Sequence, residues 1–170
     1  ATLSKTAQHL NAVMVGHLRE EKAPETFMQA ARLLHNDARV RFTHIGAPLD
    51  EALAALARAT ASASPHYRWL GGLAHETTRR HIQRAHVLVH ASRMEGGAHV
   101  IMEAALCGTP VLASHIPGNV GMLGTDYAGY FPLEDAAALA ALLQRAAGEP
   151  AFLAGLQAQC AARSRWFEPA

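Results

Sequence analysis

Two glutamates eight positions apart, Glu95 and Glu103, with the glycine pair Gly96-Gly97 after the first, are the residues of this chain best suited to holding a ligand. They belong to the stretch SRMEGGAHVIMEAALCGTP, from Ser92 to Pro110. It reads as the end of a buried strand, a glycine-bearing turn, a helix starting near Ala98 or His99, and a Gly-Thr-Pro exit into the next strand. Such a helix aims its first unpaired N–H groups back at the Gly-Gly turn, where an anionic group can settle. Glu103, one to two turns into the helix, then reaches neutral hydroxyls beside that anion. Backbone donors next to two carboxylates suit a ligand that carries both phosphates and sugar hydroxyls. The competing reading is an ordinary strand-to-helix turn, whose glycines only relieve strain and whose glutamates are solvated. Spacing alone leaves both open.

The elements that must position these groups follow from the patterning. Residues 1 to 10 are polar and aperiodic, a linker or truncated end. Asn11 to Leu18 is a short apolar run consistent with a buried strand, followed by the charged turn Arg19-Glu20-Glu21-Lys22. Pro24 fits the first turn of a helix whose apolar face is Phe27, Ala30, Ala31 and Leu34. Val40 to Gly46 is a second strand. Leu49 to Ala63 is expected to be a helix with a stripe at Leu49, Leu53 and Leu56. His66 to Leu70 is a third strand, His75 to Arg84 a helix, and Ala85 to Ala91 a fourth strand. Val111 to Ser114 is a fifth strand. Ile116 to Thr125 is read as a loop because it is rich in Gly and Pro. Gly129 to Phe131 is a short sixth strand, and two helices, Asp135 to Ala147 and Phe152 to Arg165, close the chain.

Strands alternating with helices predict an α/β domain over residues 11 to 170, with a Rossmann-like parallel six-stranded sheet ordered 3-2-1-4-5-6 and helices on both faces. Ligands bind such sheets outside the carboxyl ends of the strands where the order reverses, between the first and fourth. Those ends are Gly16 to Lys22 and Ser92 to His99, so topology and motif point to one crevice. One side offers Gly16, His17, Arg19 and Lys22, and the other offers Glu95, Gly96, Gly97 and a helix N-terminus. Cations and oriented N–H groups facing each other would clamp a diphosphate. Against this stands the reading of Arg19 and Lys22 as a solvated turn paired with Glu20 and Glu21.

Composition narrows the partners. The chain has 170 residues, half of them hydrophobic and 17% charged, with a net charge of +1. That balance gives no field for nucleic acid or an anionic membrane. No apolar run approaches the roughly 20 residues needed to span a bilayer, and the start does not resemble a signal peptide, so cytoplasm is the expected compartment. Two cysteines make no disulfide framework. The 11 histidines are scattered without HExxH or CxxC spacing, so no metal and no cofactor are expected. The first turn, GHLREEK, is not a GxGxxG, which argues against a dinucleotide, and a Walker A loop is absent.

The pattern VGHLREEK, then THIG, then HASRMEGGAHVIMEAALCGTPVLAS, resembles the C-terminal, donor-binding domain of GT-B fold glycosyltransferases of family 4, over about residues 11 to 150. RMEGGAHVIMEA and SHIPGNVGMLG are similar to a bacterial branch that includes selenosugar synthases. The resemblance implies transfer of a sugar from a nucleotide-diphosphate donor, of which a UDP-sugar is the expected form, with retention of configuration. It implies that Glu95 binds donor-sugar hydroxyls, Glu103 the ribose hydroxyls and Lys22 the diphosphate, while the amides of Gly97, Ala98, His99 and Val100 meet the phosphates. Where the family often has arginine after the first strand's glycine, this chain has His17, with Arg19 two positions on. Where many members carry Gly-Phe-Gly after Glu95, it has Gly-Gly-Ala, which changes the shape of the sugar pocket. The resemblance also implies an N-terminal acceptor domain that this chain lacks, through which any peripheral membrane contact would run. A nucleotide-sugar binding module and a GT-B type UDP-sugar epimerase are the alternatives on the same fold.

Overall fold

A computed structural model describes residues 9–94 and 98–165. The strands are β1 (Leu10–Val15), β2 (Val40–Ile45), β3 (Tyr67–Trp69), β4 (Val87–His90), β5 (Val111–Ser114) and β6 (Tyr130–Phe131). They pair in parallel as one sheet in the order β3-β2-β1-β4-β5-β6, with Ala12 beside Val87 and Met14 beside Val89 at the central β1–β4 seam. The Rossmann-like α/β architecture is therefore the expected one.

Among the described residues five α-helices connect the strands and two follow the last: α1 (Pro24–Leu33), α2 (Glu51–Ala63), α3 (His75–Arg84), α4 (Ala98–Leu106) and α5 (Pro117–Leu123), then α6 (Ala136–Gly148) and α7 (Pro150–Ser164). α1 packs on α2 and α6, while α4 packs on α3, α5 and α7. β4 and β5 are buried along their whole length, as a parallel sheet covered on both faces requires. Phe27 of α1, fully buried, meets Phe42 and His44 of β2 edge-on, with ring centroids 5.2 Å away in each case.

Two local expectations need correction. The stripe of α2 is not Leu49, Leu53 and Leu56. Asp50 caps the helix by accepting from the Leu53 N–H at 3.0 Å, so Leu49 precedes the helix and is 51% exposed. Leu56 also faces outward, and the buried face is Leu53, Ala54, Ala57 and Thr60. Small residues on that face let the helix lie close to its neighbours. The second correction is α5, which occupies most of the segment read as a loop. Pro117 supplies its first turn, the buried Asn119 Nδ2 donates to Ser114 O at 2.9 Å, and Gly124 at φ 93° ends it. Tertiary bonds thus override the low helix propensity of Gly118 and Gly121.

The loops at the carboxyl ends of β1, β2 and β3 are tied together by backbone bonds. Gly16 N–H donates to Ile45 O at 2.9 Å, and Gly46 N–H donates to Gly71 O at 2.8 Å. Gly46 passes so close to the first loop that an added Cβ would lie 1.8 Å from Gly16 O. Only glycine fits there. The first wall of the crevice is therefore built directly on its neighbour.

Candidate functional site

β1 turns toward one face of the sheet and β4 toward the other, so a crevice opens between their carboxyl ends. On the β1 side the charged turn winds into a single 3-10 turn, Glu20–Lys22, which Ala23 ends in the left-handed region at φ 48°. This turn sends its two cations in different directions. The Arg19 guanidinium is 54% exposed and pairs with Glu21 at 3.7 Å, so it behaves as part of a solvated turn. Lys22 folds back over the end of β1, its Cγ and Cδ 3.6 Å from where a Gly16 Cβ would be. It is half-buried and has no ion pair among the described residues. Its charge is felt across the seam at His90, the last residue of β4. His17 is exposed on the rim.

On the other side, α4 begins at Ala98, where the helix start was expected, so its first N–H groups, which have no acceptor within the helix, lie at the mouth of the crevice. Gly108, at φ 73°, ends this helix in the left-handed turn that glycine adopts freely. Glu95, Gly96 and Gly97, together with the Ala98 side chain, fall outside the described residues.

Glu103 and the helix facing it form the best-defined part of the site. A cleft of about 570 Å³ lies between α3 and α4, lined by Val15, His75, Arg79, Val100 and Glu103, with His99 at its edge. The pairs His75/Arg79 and His99/Glu103 each have i,i+4 spacing, so each falls on one helix face. Glu103 Oε2 is 3.5 Å from His75 Nε2, and Oε1 is 3.9 Å from Arg79 Nε. Both contacts are long for hydrogen bonds. Oε1 is shut from solvent and has no hydrogen-bond donor among the described residues. The Glu103 side chain as a whole is 24% exposed and lines the cleft, so a carboxylate held only by long charge contacts can turn to meet hydroxyls entering there. Glu103, His99 and Val100 thus come together here, while Gly16 and Lys22 meet at the crevice beside it. Sequence reasoning missed His75, Arg79 and His90. The first two carried a signal, their i,i+4 spacing opposite a like-spaced pair.

Two buried histidines add a pH dependence. Burial, and then the Lys22 charge, push His90 down from 6.5 to about 4. Burial alone pushes His44, whose Nδ1 shares a hydrogen bond of 2.7 Å with Tyr67 Oη, down to about 3. Both values are depressed, so below the ordinary histidine pKa the unfolded chain takes up protons that the folded chain refuses. Stability is full above about 6.5 and falls with pH until the folded groups themselves titrate. Each histidine costs about 1.4 kcal/mol per pH unit in that window. Denaturant titrations between pH 6.5 and 5, above the carboxylate range, should show about two protons taken up on unfolding by these two histidines, with a further contribution from His81, which burial and then Arg68 and Arg84 push down. His90→Leu should lower the uptake by about one proton; an unchanged slope would contradict a neutral buried His90.

Among the described residues no three His, Cys, Asp or Glu side chains converge as a metal site requires, and no helix is long and apolar enough to cross a membrane.

The profile of the family described as "Glycosyl transferases group 1" matches residues 5–165. The chain is 31% identical over 148 residues to D-inositol 3-phosphate glycosyltransferase of Geodermatophilus obscurus, a match over 78% of this chain and 33% of that protein. Sucrose-phosphate synthase of Thermosynechococcus elongatus is similar in structure with a TM-score of 0.78 at 25% identity, over 95% of this chain and 42% of that one. HepE of Anabaena, solved in complex with UDP and glucose, shares the fold with a TM-score of 0.76 at 17% identity, over 94% of this chain and 44% of that one. The chain spans about a third of the length of the curated relative it matches.

Proposed function

The chain belongs to the glycosyl transferases group 1 family, and from that premise we propose that it binds the donor of a GT-B glycosyltransferase, a nucleotide-diphosphate sugar. The observation that carries this reading is the partly exposed Glu103 carboxylate, which lines a cleft of about 570 Å³ and whose Oε1 has no hydrogen-bond donor among the described residues. Ribose hydroxyls are the donors it lacks. The nucleoside occupies the α3–α4 cleft, the diphosphate lies between Lys22 and the first N–H groups of α4, and the sugar meets Glu95. The UDP and glucose held by a protein of the same fold support uridine as the base and a hexose as the sugar.

The chemistry follows from the charges. As the sugar leaves, negative charge grows on the diphosphate. Donors already aimed at it stabilise that state more than the ground state. Glu95 orients the sugar, and transfer proceeds with retention to an acceptor bound on a further domain.

Glu103→Ala tests the nucleoside half of this assignment. Calorimetry with UDP should show affinity lost by about 1.5–3 kcal/mol, the value of hydrogen bonds to a charged group. The melting temperature should hold, since Glu103 has only long charge contacts to lose. The loss should shrink for 2′-deoxy-UDP, which lacks one of the hydroxyls. Unchanged affinity for UDP would remove Glu103 from the site.

A further inference from the structure

Arg93, two residues before Glu95, touches both walls of the crevice. Its backbone N–H donates to Glu21 O at 2.8 Å, and its Nη1 donates to Glu20 O. One residue of the β4–α4 connection therefore holds two carbonyls of the 3-10 turn that carries Lys22. The rest of the guanidinium is filled as well. Nε donates to Glu134 Oε1 at 2.6 Å, and Nη2 forms an ion pair with Glu25 Oε1 at 3.2 Å, without hydrogen-bond geometry. A planar fork with partners in three directions is fixed in orientation as well as in charge.

Glu134 supplies an independent observation. Its φ is 66°, in the left-handed region that glycine adopts freely and side-chain-bearing residues rarely enter. The chain keeps a glutamate where the backbone favours glycine, and what the glutamate provides is the carboxylate on Arg93. Exposed ion pairs are worth little as stabilisers. A gain in alignment accounts for this one better than a gain in stability.

We propose that Arg93 is a positioning residue, a clamp braced by Glu134 that fixes the Lys22-bearing turn against the β4–α4 loop so that both walls face one diphosphate. The clamp rests on the donor-site reading above and adds to it a residue that touches no ligand. UDP and uridine titrated into the wild-type chain, Arg93→Gln and Glu134→Gly, with a melting curve for each, separate the possibilities. Both variants should bind UDP about tenfold more weakly, the equivalent of one misaligned charge-assisted bond, and uridine as the wild type does. Glu134→Gly should melt close to the wild type, because relief of the left-handed backbone offsets the lost ion pair. Full-strength UDP binding by both variants overturns the clamp and leaves the donor site standing. An equal loss for UDP and uridine also overturns it, since general loosening has that effect. A wild-type chain that binds UDP no better than uridine sinks the donor-site reading and the clamp with it.

Discussion

Replacing Lys22 with alanine should cut turnover of the transferase that contains this chain by about 10²–10³, the loss typical of one preorganised donor to a developing anion. The turn that carries Lys22 is built to spend Arg19 and spare Lys22. Arg19 is paired with Glu21 at the surface, while Lys22 lies across Gly16, its charge felt at His90 across the seam, with no carboxylate pairing it among the described residues. Charge growing on a leaving diphosphate meets this cation more strongly than the ground state does, so the loss should fall mainly on kcat and less on the donor KM. Lys22→Arg should recover only part of the rate, because a planar fork cannot follow the path of a flexible ammonium over Gly16. Folding should be nearly unaffected, within about 0.5 kcal/mol, because no ion pair among the described residues is broken. Near-wild-type turnover in Lys22→Ala would contradict the role.

The second large effect is structural and lies under the same wall. Gly46→Ala should destabilise the domain by about 3 kcal/mol, at the upper end of overpacking costs. The added methyl would come within 1.8 Å of Gly16 O and 2.8 Å of Gly16 C, backbone atoms that cannot rotate away as a side chain tip can. The first loop must shift, and Lys22 shifts with it, so UDP affinity should fall even at temperatures where the variant remains folded. A lowered denaturation midpoint with unchanged UDP affinity would separate the loop from the site and contradict this coupling. Gly121→Ala, which meets open space within α5, serves as the control: it should leave UDP affinity unchanged and, if anything, raise stability by about 0.5–1 kcal/mol through helix propensity.

The parts of the fold that were legible in the sequence are those with strong local periodicity or punctuation. β5 and α3 run over the residues expected, and α1 presents Phe27, Ala30 and Ala31 from a helix opened by Pro24. Strand order followed from alternation and handedness rather than from any one residue. Misreadings came where tertiary contacts outvoted composition. α5 forms despite two glycines because Asn119 is bonded beneath it, and α2 buries alanines where leucines had been expected. In the first loop the sequence placed two cations side by side, but only folding sends one outward and the other over the seam. Arg93 and Glu134 are 41 positions apart, and no local pattern could link them. His75 and Arg79 were nearer to recognition, since a polar i,i+4 pair on an otherwise amphipathic helix often faces a partner.

Glu103 and Lys22 belong to one site only if a single ligand spans them. Backbone amide NMR of this chain during titration with UDP tests that claim most directly. The account predicts saturable shifts confined to residues 16–22, 75–82 and 95–103, with the 16–22 set and the first amides of α4 lost when uridine replaces UDP and those of residues 75–82 and Glu103 retained. Shifts centred elsewhere, or a 16–22 set indifferent to the diphosphate, would contradict it.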